Sequence, residues 1–210
     1  MASAFWAAVA VTGHTPTKVE KVAGALEQSK ARFMAEALDL TVPETVEAFF
    51  GRVAERLGPT DILVNGTAWR IRATFLETTY ADWRNTFAGC VDSYFYCSLA
   101  AARQMVPQKW GRIVNIGSIH SLVASPYKSA YVAAKHGLIG LCKTVAKEGA
   151  KYGVRANVIC PGFVRTPLVD KQIPEQARAP GISEEQVIKD VMLKNTVDGE
   201  SPRPTTWPTR

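Results

Sequence analysis

Short apolar runs alternate along this chain with longer stretches of helical periodicity. Residues 7–12 (AAVAVT), 32–37 (RFMAEA), 61–65 (DILVN), 112–116 (RIVNI) and 154–160 (VRANVIC) have strand length and strand composition. The 61–65 run is apolar enough to predict a strand buried on both faces. Thr15-Pro16 opens a helix that reaches about Gln28, with proline at a permitted first-turn position. Thr41-Val42-Pro43-Glu44 reads as a capping box for a helix whose Val46, Phe49, Phe50, Val53 and Leu57 form one stripe. A long helix is predicted over 80–106, and another from Tyr131 to about Tyr152. Strands alternating with helices predict a doubly wound parallel sheet whose sites lie at the carboxyl ends of its strands. Asn65, Ser118 and Pro161 fall at such ends. Residues 1–195 read as a single domain without internal repeats. From Thr196 the sequence TVDGESPRPTTWPTR, with three prolines, predicts a disordered tail.

Composition narrows the function classes. The chain has 210 residues, 47% hydrophobic and 21% charged, which suits a globular α/β protein. The net charge of +6 comes from lysines and arginines that are scattered, with no basic run interleaved with aromatics, so no nucleic-acid partner is expected. Cys90, Cys97, Cys142 and Cys160 form no Cys-x-x-Cys pair and have no histidine at metal spacing. They read as small buried groups in a reducing compartment, so neither a disulfide framework nor a metal is expected, and the cytoplasm is the expected location. The apolar start, MASAFWAAVAV, lacks a basic leading segment and is too short to span a bilayer. It reads as a buried strand, and no membrane partner is expected.

The chemistry concentrates in GSIHSLVASPYKSAYVAAKH at 117–136. Tyr131 and Lys135 are one helical turn apart and rise from one helix face. A cation beside a phenol favours the phenolate and lowers its pKa towards the range of an acid–base catalyst. Ser118 follows the 112–116 strand, where its hydroxyl can steady a carbonyl or alkoxide oxygen. Tyr-x-x-x-Lys alone is ordinary amphipathic patterning. The preceding strand ending in serine, and Cys160-Pro161-Gly162 after a further helix and strand, make it specific.

Together these residues resemble the short-chain dehydrogenase/reductase family, and the resemblance covers about residues 7–195. It implies a Rossmann-like fold, a nicotinamide cofactor and hydride transfer at a carbon bearing oxygen. Ser118, Tyr131 and Lys135 are then the catalytic residues. Asp39 and Leu40 are placed by the adenine, Asn65 and Gly66 by the ribose with Tyr131 and Lys135, and Pro161, Gly162, Val164 and Thr166 by the nicotinamide. His120, Lys128 and Gln172, within SIHSLVASPYKSAYVAAKHGLIGL and ICPGFVRTPLVDKQI, resemble the branch of the family that acts on 3-hydroxybutyrate. That likeness implies a small carboxylate substrate gripped by those three residues and by Arg70, NAD as cofactor, and a homo-oligomer. NADP stays open, because Thr12-Gly13-His14 has no acid to bind a ribose hydroxyl. A 3-oxoacyl reductase is the alternative within the class.

The first part of the chain departs from this pattern. Thr12-Gly13-His14-Thr15-Pro16-Thr17-Lys18-Val19 resembles the family's phosphate loop with both later glycines gone. In the family two strands separate that loop from the strand matching 61–65, whereas here only 32–37 does. Residues 7–12 therefore fit the second strand. The first strand and its glycine loop are expected to be missing, and so is the final strand. With the family's strand order of 3-2-1-4-5-6-7, a missing first strand leaves two interior edges unpaired. Cys90 stands where the family has an active-site asparagine, and Arg70 where this branch has a glutamine. A catalytically silent chain or assembly partner is the competing expectation.

Overall fold

Parallel pairing divides the strands into two sets. In the computed structural model of the chain, residues 7–162 are described, together with 164, 166, 170, 173, 174, 177, 181 and 183–192. The strands are β1 (Val9–Gly13), β2 (Phe33–Ala37), β3 (Ile62–Asn65), β4 (Gly111–Ile116) and β5 (Val154–Ile159). Strands β1 and β2 form one sheet and β3-β4-β5 another, and every pair is parallel. Among the described residues β1 pairs only with β2, and β3 only with β4. These are the two open interior edges that the strand count implies.

The helices are α1 (Pro16–Gln28), α2 (Pro43–Leu57), α3 (Tyr80–Phe87), α4 (Ser93–Gln108) and α5 (Ser129–Gly149). A wider turn, Ala88–Asp92, joins α3 to α4, so the long helix expected at 80–106 carries a π-bulge at Cys90. The stripe of α2 (Val46, Phe49, Phe50 and Val53) packs with Cys97, Ala100, Ala101 and Met105 of α4, and with Ile113, Val154 and Ala156 of the sheet. Each Val, Ile, Phe or Met side chain among them contributes roughly 1.5–3 kcal/mol through its burial.

Alternation along the strands sets which face this core covers. Leu63, Asn65, Ile113 and Asn115 share the covered face, and the register places Ile62 and Val64 opposite Arg112 and Val114 on the other. Ile62 and Val64 are 59% and 61% exposed, so β3 is not buried on both faces. No helix among the described residues packs on that side of β3. The capping box expected at Thr41 is also absent. Pro43 opens α2, which makes Val42 the cap residue, and the Thr41 hydroxyl instead donates to Asp39 Oδ1.

Contacts divide the chain into two units, Met1–Cys160 and Pro161–Arg210. Within the second, Ile173 and Val187 are buried with Ala177 and Ile188, and Ser183 caps the turn Glu184–Gln186. The final-strand position and the 196–210 tail lie outside the described residues. No helix among the described residues is long and apolar enough to cross a membrane.

Candidate active site

The site grows from the carboxyl end of β4. Gly117 donates to Ile159 O at 2.7 Å. A Cβ at Gly117 would lie 2.7 Å from Val158 Cγ1 and 2.9 Å from Ser121 Oγ, so only glycine lets the strand ends and the next turn approach. Ser118 then runs extended and its Oγ accepts from the His120 amide at 3.2 Å. Before α5, Tyr127 adopts the left-handed region with φ +64°, a costly conformation for a bulky residue. It is held from outside: its carbonyl accepts from Ala73 N at 3.2 Å and Arg72 lies 4.7 Å over its ring. That turn delivers Lys128 to the head of α5.

Tyr131, Ser118, His120, Lys128 and Lys135 come together here. The Ser118 hydroxyl is close enough to the Tyr131 phenol to favour its ionised form, and the His120 ring meets the Tyr131 ring edge-on at 6.1 Å. Lys135 is 1% exposed. Its Nζ donates to Ile116 O at 2.8 Å and to Tyr94 Oη at 3.4 Å, and lies 5.8 Å from the Tyr131 ring centre. Burial holds Lys135 below the usual lysine range. Burial also raises the Tyr131 phenol, and the Ser118 hydrogen bond and the Arg70 charge only partly oppose it. The Tyr131 pKa is thus raised, contrary to the expectation from spacing, because burial outweighs the groups that favour its phenolate, while the Lys135 ammonium near its ring is bonded to Ile116 O and Tyr94 Oη.

Lys128 is 7% exposed, and its Nζ meets His120 Nε2 at 3.1 Å. Among the described residues the ion pairs are Arg52–Glu36 and Arg103–Glu47, so no carboxylate neutralises it. Burial, with Arg70 and Arg72 nearby, brings Lys128 down to about 8. His120 is lowered too, by burial and then by Lys128. A lysine and a neutral imidazole facing one another without a counter-charge form a donor pair suited to an anion.

Sequence reasoning missed how Cys90 and Tyr94 build this region. Cys90 is fully buried, and burial raises its thiol pKa. Its Sγ donates to Trp69 O at 3.3 Å and accepts from Trp69 N at 3.4 Å. A Cβ on Gly89 would come 2.9 Å from Trp69 Cβ, so the π-turn clamps the loop that carries Arg70 and Arg72. Tyr94, one turn further along the same helix face, bonds Thr67 O at 2.8 Å and Ile116 O at 2.9 Å. The signal was in the sequence as the four-residue spacing of Cys90 and Tyr94.

Other expected residues are placed differently. Asp39 Oδ1 accepts from Thr41 N and Oγ1 at 2.8 and 2.7 Å, which lowers its pKa. Leu40 beside it is buried. The pair lies just past β2, in the other sheet. Asn65 is buried and its Nδ2 donates to Asn115 Oδ1 and Ser98 Oγ, which ties its amide into the core, while Gly66 is exposed. Pro161, Val164 and Thr166 are half-buried and Gly162 exposed, all within the second unit. Gln172 lies outside the described residues.

A nicotinamide cofactor fits this chain at one end. Lys135 has a further N–H, and Tyr131 a hydroxyl, at the carboxyl end of β4, where a ribose and the reacting atoms could be met. At the loop after β1 the fit fails. Of Thr12-Gly13-His14-Thr15-Pro16-Thr17-Lys18-Val19 only Gly13 lacks a side chain, so this turn has none of the later close-approach glycines of a phosphate loop.

The short chain dehydrogenase family model matches residues 4–177. The chain belongs to that family of oxidoreductases, with its Rossmann-like α/β fold. It is 47% identical to the D-beta-hydroxybutyrate dehydrogenase of Rhizobium meliloti over 85% of its own length and 68% of that protein. It is 39% identical to the enzyme of the same name from Cupriavidus necator over 77% of its length, spanning 63% of that relative. In structure it matches a sorbitol-6-phosphate 2-dehydrogenase from Erwinia amylovora with TM-score 0.87 at 25% identity, covering 93% of this chain and 77% of that one.

Proposed function

We propose that the chain transfers hydride between NAD and a short 3-hydroxy acid, interconverting 3-hydroxybutyrate and acetoacetate. The observation that carries this reading is the buried Lys128–His120 pair, 3.1 Å apart and without an ion-paired carboxylate among the described residues, beside Tyr131. The substrate carboxylate supplies the missing counter-charge. Tyr131 takes the hydroxyl proton as general base, Ser118 holds the substrate oxygen, and Lys135 stabilises the phenolate. Lys135 and Tyr131 would hold the ribose of a nicotinamide cofactor, which would supply the hydride acceptor. The names of the two relatives described above favour the same substrate. The chain spans about two thirds of their length, so the activity of the whole enzymes is carried over here as a proposal. Phe95 and Leu99, one turn apart and 45% and 37% exposed on α4, favour a homo-oligomer formed through that helix.

One observation favours a second reading, a silent chain or an assembly partner. Among the described residues strand β1 pairs only with β2, and its loop lacks the later glycines of a phosphate cradle. Turnover decides between the two. The purified chain is given 3-hydroxybutyrate with NAD or NADP in millimolar excess, and nicotinamide absorbance is followed. Lys128→Ala should raise KM for the acid about tenfold or more while leaving the methyl ester little changed, as expected for a lost charge-assisted contact. No turnover with either coenzyme would favour the silent chain.

A further inference from the structure

A cavity of about 470 Å³ opens at the amino ends of β4 and β5, with Lys109, Trp110, Arg112, Arg155 and Asn157 in its wall. No acidic side chain lines it; Asp61 before β3 and Glu148 of α5 stand outside that wall. Ser118 lies past the other end of β4, a strand of 6 residues that spans about 20 Å. Two turns meet at the cavity because Gly153, at φ +71°, has no Cβ to collide with Lys109 O. Arg112 is fixed there. Its Nη1 donates to Gly111 O at 2.8 Å and to Gly153 O at 3.1 Å, and its guanidinium lies 4.6 Å over the Trp110 ring. The hydrogens on Nε and Nη2 remain for a ligand. The register sets Arg155 directly opposite Arg112 on the neighbouring strand. Strands are about 4.8 Å apart, a spacing at which like charges oppose pairing. Arg112, Arg155 and Lys109 have no ion pair among the described residues.

We propose that this cavity binds a compact polyanion, a small molecule carrying several phosphate or carboxylate oxygens, at a second site remote from the catalytic cluster. Three cations and an amide around one acid-free cavity make it strongly positive. A polyanion between Arg112 and Arg155 turns their repulsion into two charge-assisted contacts. Arg112 is already ordered by two carbonyls and an indole, so little side-chain freedom is lost on binding. The volume falls within the range of small-molecule pockets and exceeds what a single inorganic ion fills. A surface charged only for solubility needs neither a held guanidinium nor a like charge set opposite it.

Pyrophosphate and citrate, titrated separately into the full chain, test the site and tell the two anion chemistries apart. Calorimetry is run at pH 7 and about 0.15 M salt, where diffuse attraction is screened. At least one of the two should bind saturably below millimolar concentration. The indole N–H resonance of Trp110, assigned by its loss in Trp110→Phe, should shift along the same titration and so locate the anion. Arg155→Gln should weaken binding about tenfold, the contribution of a charge-assisted contact, and Arg155→Lys should keep part of the affinity because the charge remains. Lys21→Gln on α1 removes one charge elsewhere and should leave the affinity unchanged. Circular dichroism checks the fold of each variant, and the Trp110 resonance with Arg155→Lys carries the test should the glutamine variant not fold. Binding of neither anion, a Trp110 resonance that stays still, or equal weakening by Arg155→Gln and Lys21→Gln overturns the proposal.

Discussion

The ammonium of Lys135 lies 3.4 Å from the hydroxyl of Tyr94, and both residues are 1% exposed. Lys135 also donates to Ile116 O at 2.8 Å, the carbonyl that Tyr94 itself bonds at 2.9 Å. Among the described residues this buried cation is thus held by one carbonyl and one phenol, with no ion-paired carboxylate. Tyr94→Phe removes an acceptor from the ammonium while keeping the ring beneath it. Lys135, already lowered by burial, should titrate lower still, and the protein should lose about 0.5–1.5 kcal/mol of stability. NMR titration of isotopically labelled lysine reads the first effect and urea unfolding the second. An unchanged Lys135 titration would mean that the carbonyl alone holds the ammonium.

Tyr131→Phe keeps the ring against His120 and removes the proton carrier. Turnover should fall by roughly 10²-fold or more, the usual contribution of general acid–base catalysis, with little change in KM. Steady-state kinetics at millimolar coenzyme measures it, and unchanged turnover would dismiss Tyr131 as the base.

Lys128 titrates near 8 rather than at 10.5, so acid binding should depend on pH. The ammonium holds the carboxylate, and the dissociation constant for 3-hydroxybutyrate should rise as pH climbs past about 8, while its methyl ester binds evenly. Stability of the free chain moves the other way. Between about 8 and 10.5 the unfolded chain binds more protons at this lysine than the folded one. By linkage the Lys128 contribution to stability therefore increases with pH across that window and is lost as pH falls through it. Calorimetry and chemical unfolding across pH 7 to 11, compared with Lys128→Met, isolate both effects.

The loop after β1 should hold dinucleotide poorly. Calorimetry of the chain with NAD and with NADP is expected to give no saturable binding below millimolar concentration, because the turn before α1 has one glycine, Gly13, and lacks the later close-approach glycines of a phosphate loop. Grafting a first strand and glycine loop from a relative ahead of Ala7 should restore it. Tight binding by the chain itself would make Thr12–Gly13–His14 part of a working phosphate loop.

Much of this architecture was legible from periodicity. Apolar runs and amphipathic stripes located β1 to β5 and α1 to α5, since a strand or helix must match its pattern to the face it buries. The order of glycines and strands even anticipated that β1 would pair with β2 and leave its other edge open. Spacing likewise brought Tyr131 and Lys135 to one face of α5, because four residues make a turn in any helix.

Tertiary structure alone decided what those side chains meet. Local pattern could not tell that Ile62 and Val64 lie on an uncovered face, because cover comes from helices distant in sequence. Nor could it foresee that Lys135 turns to Ile116 and Tyr94 rather than to the Tyr131 phenol, or that Cys90 clamps Trp69. A pKa depends on burial and on charges gathered from several elements, so the raised phenol of Tyr131 and the lowered ammonium of Lys128 exist only once the chain is folded. The sequence determined which residues could do chemistry, and the fold decided which of them stand close enough to act on one another.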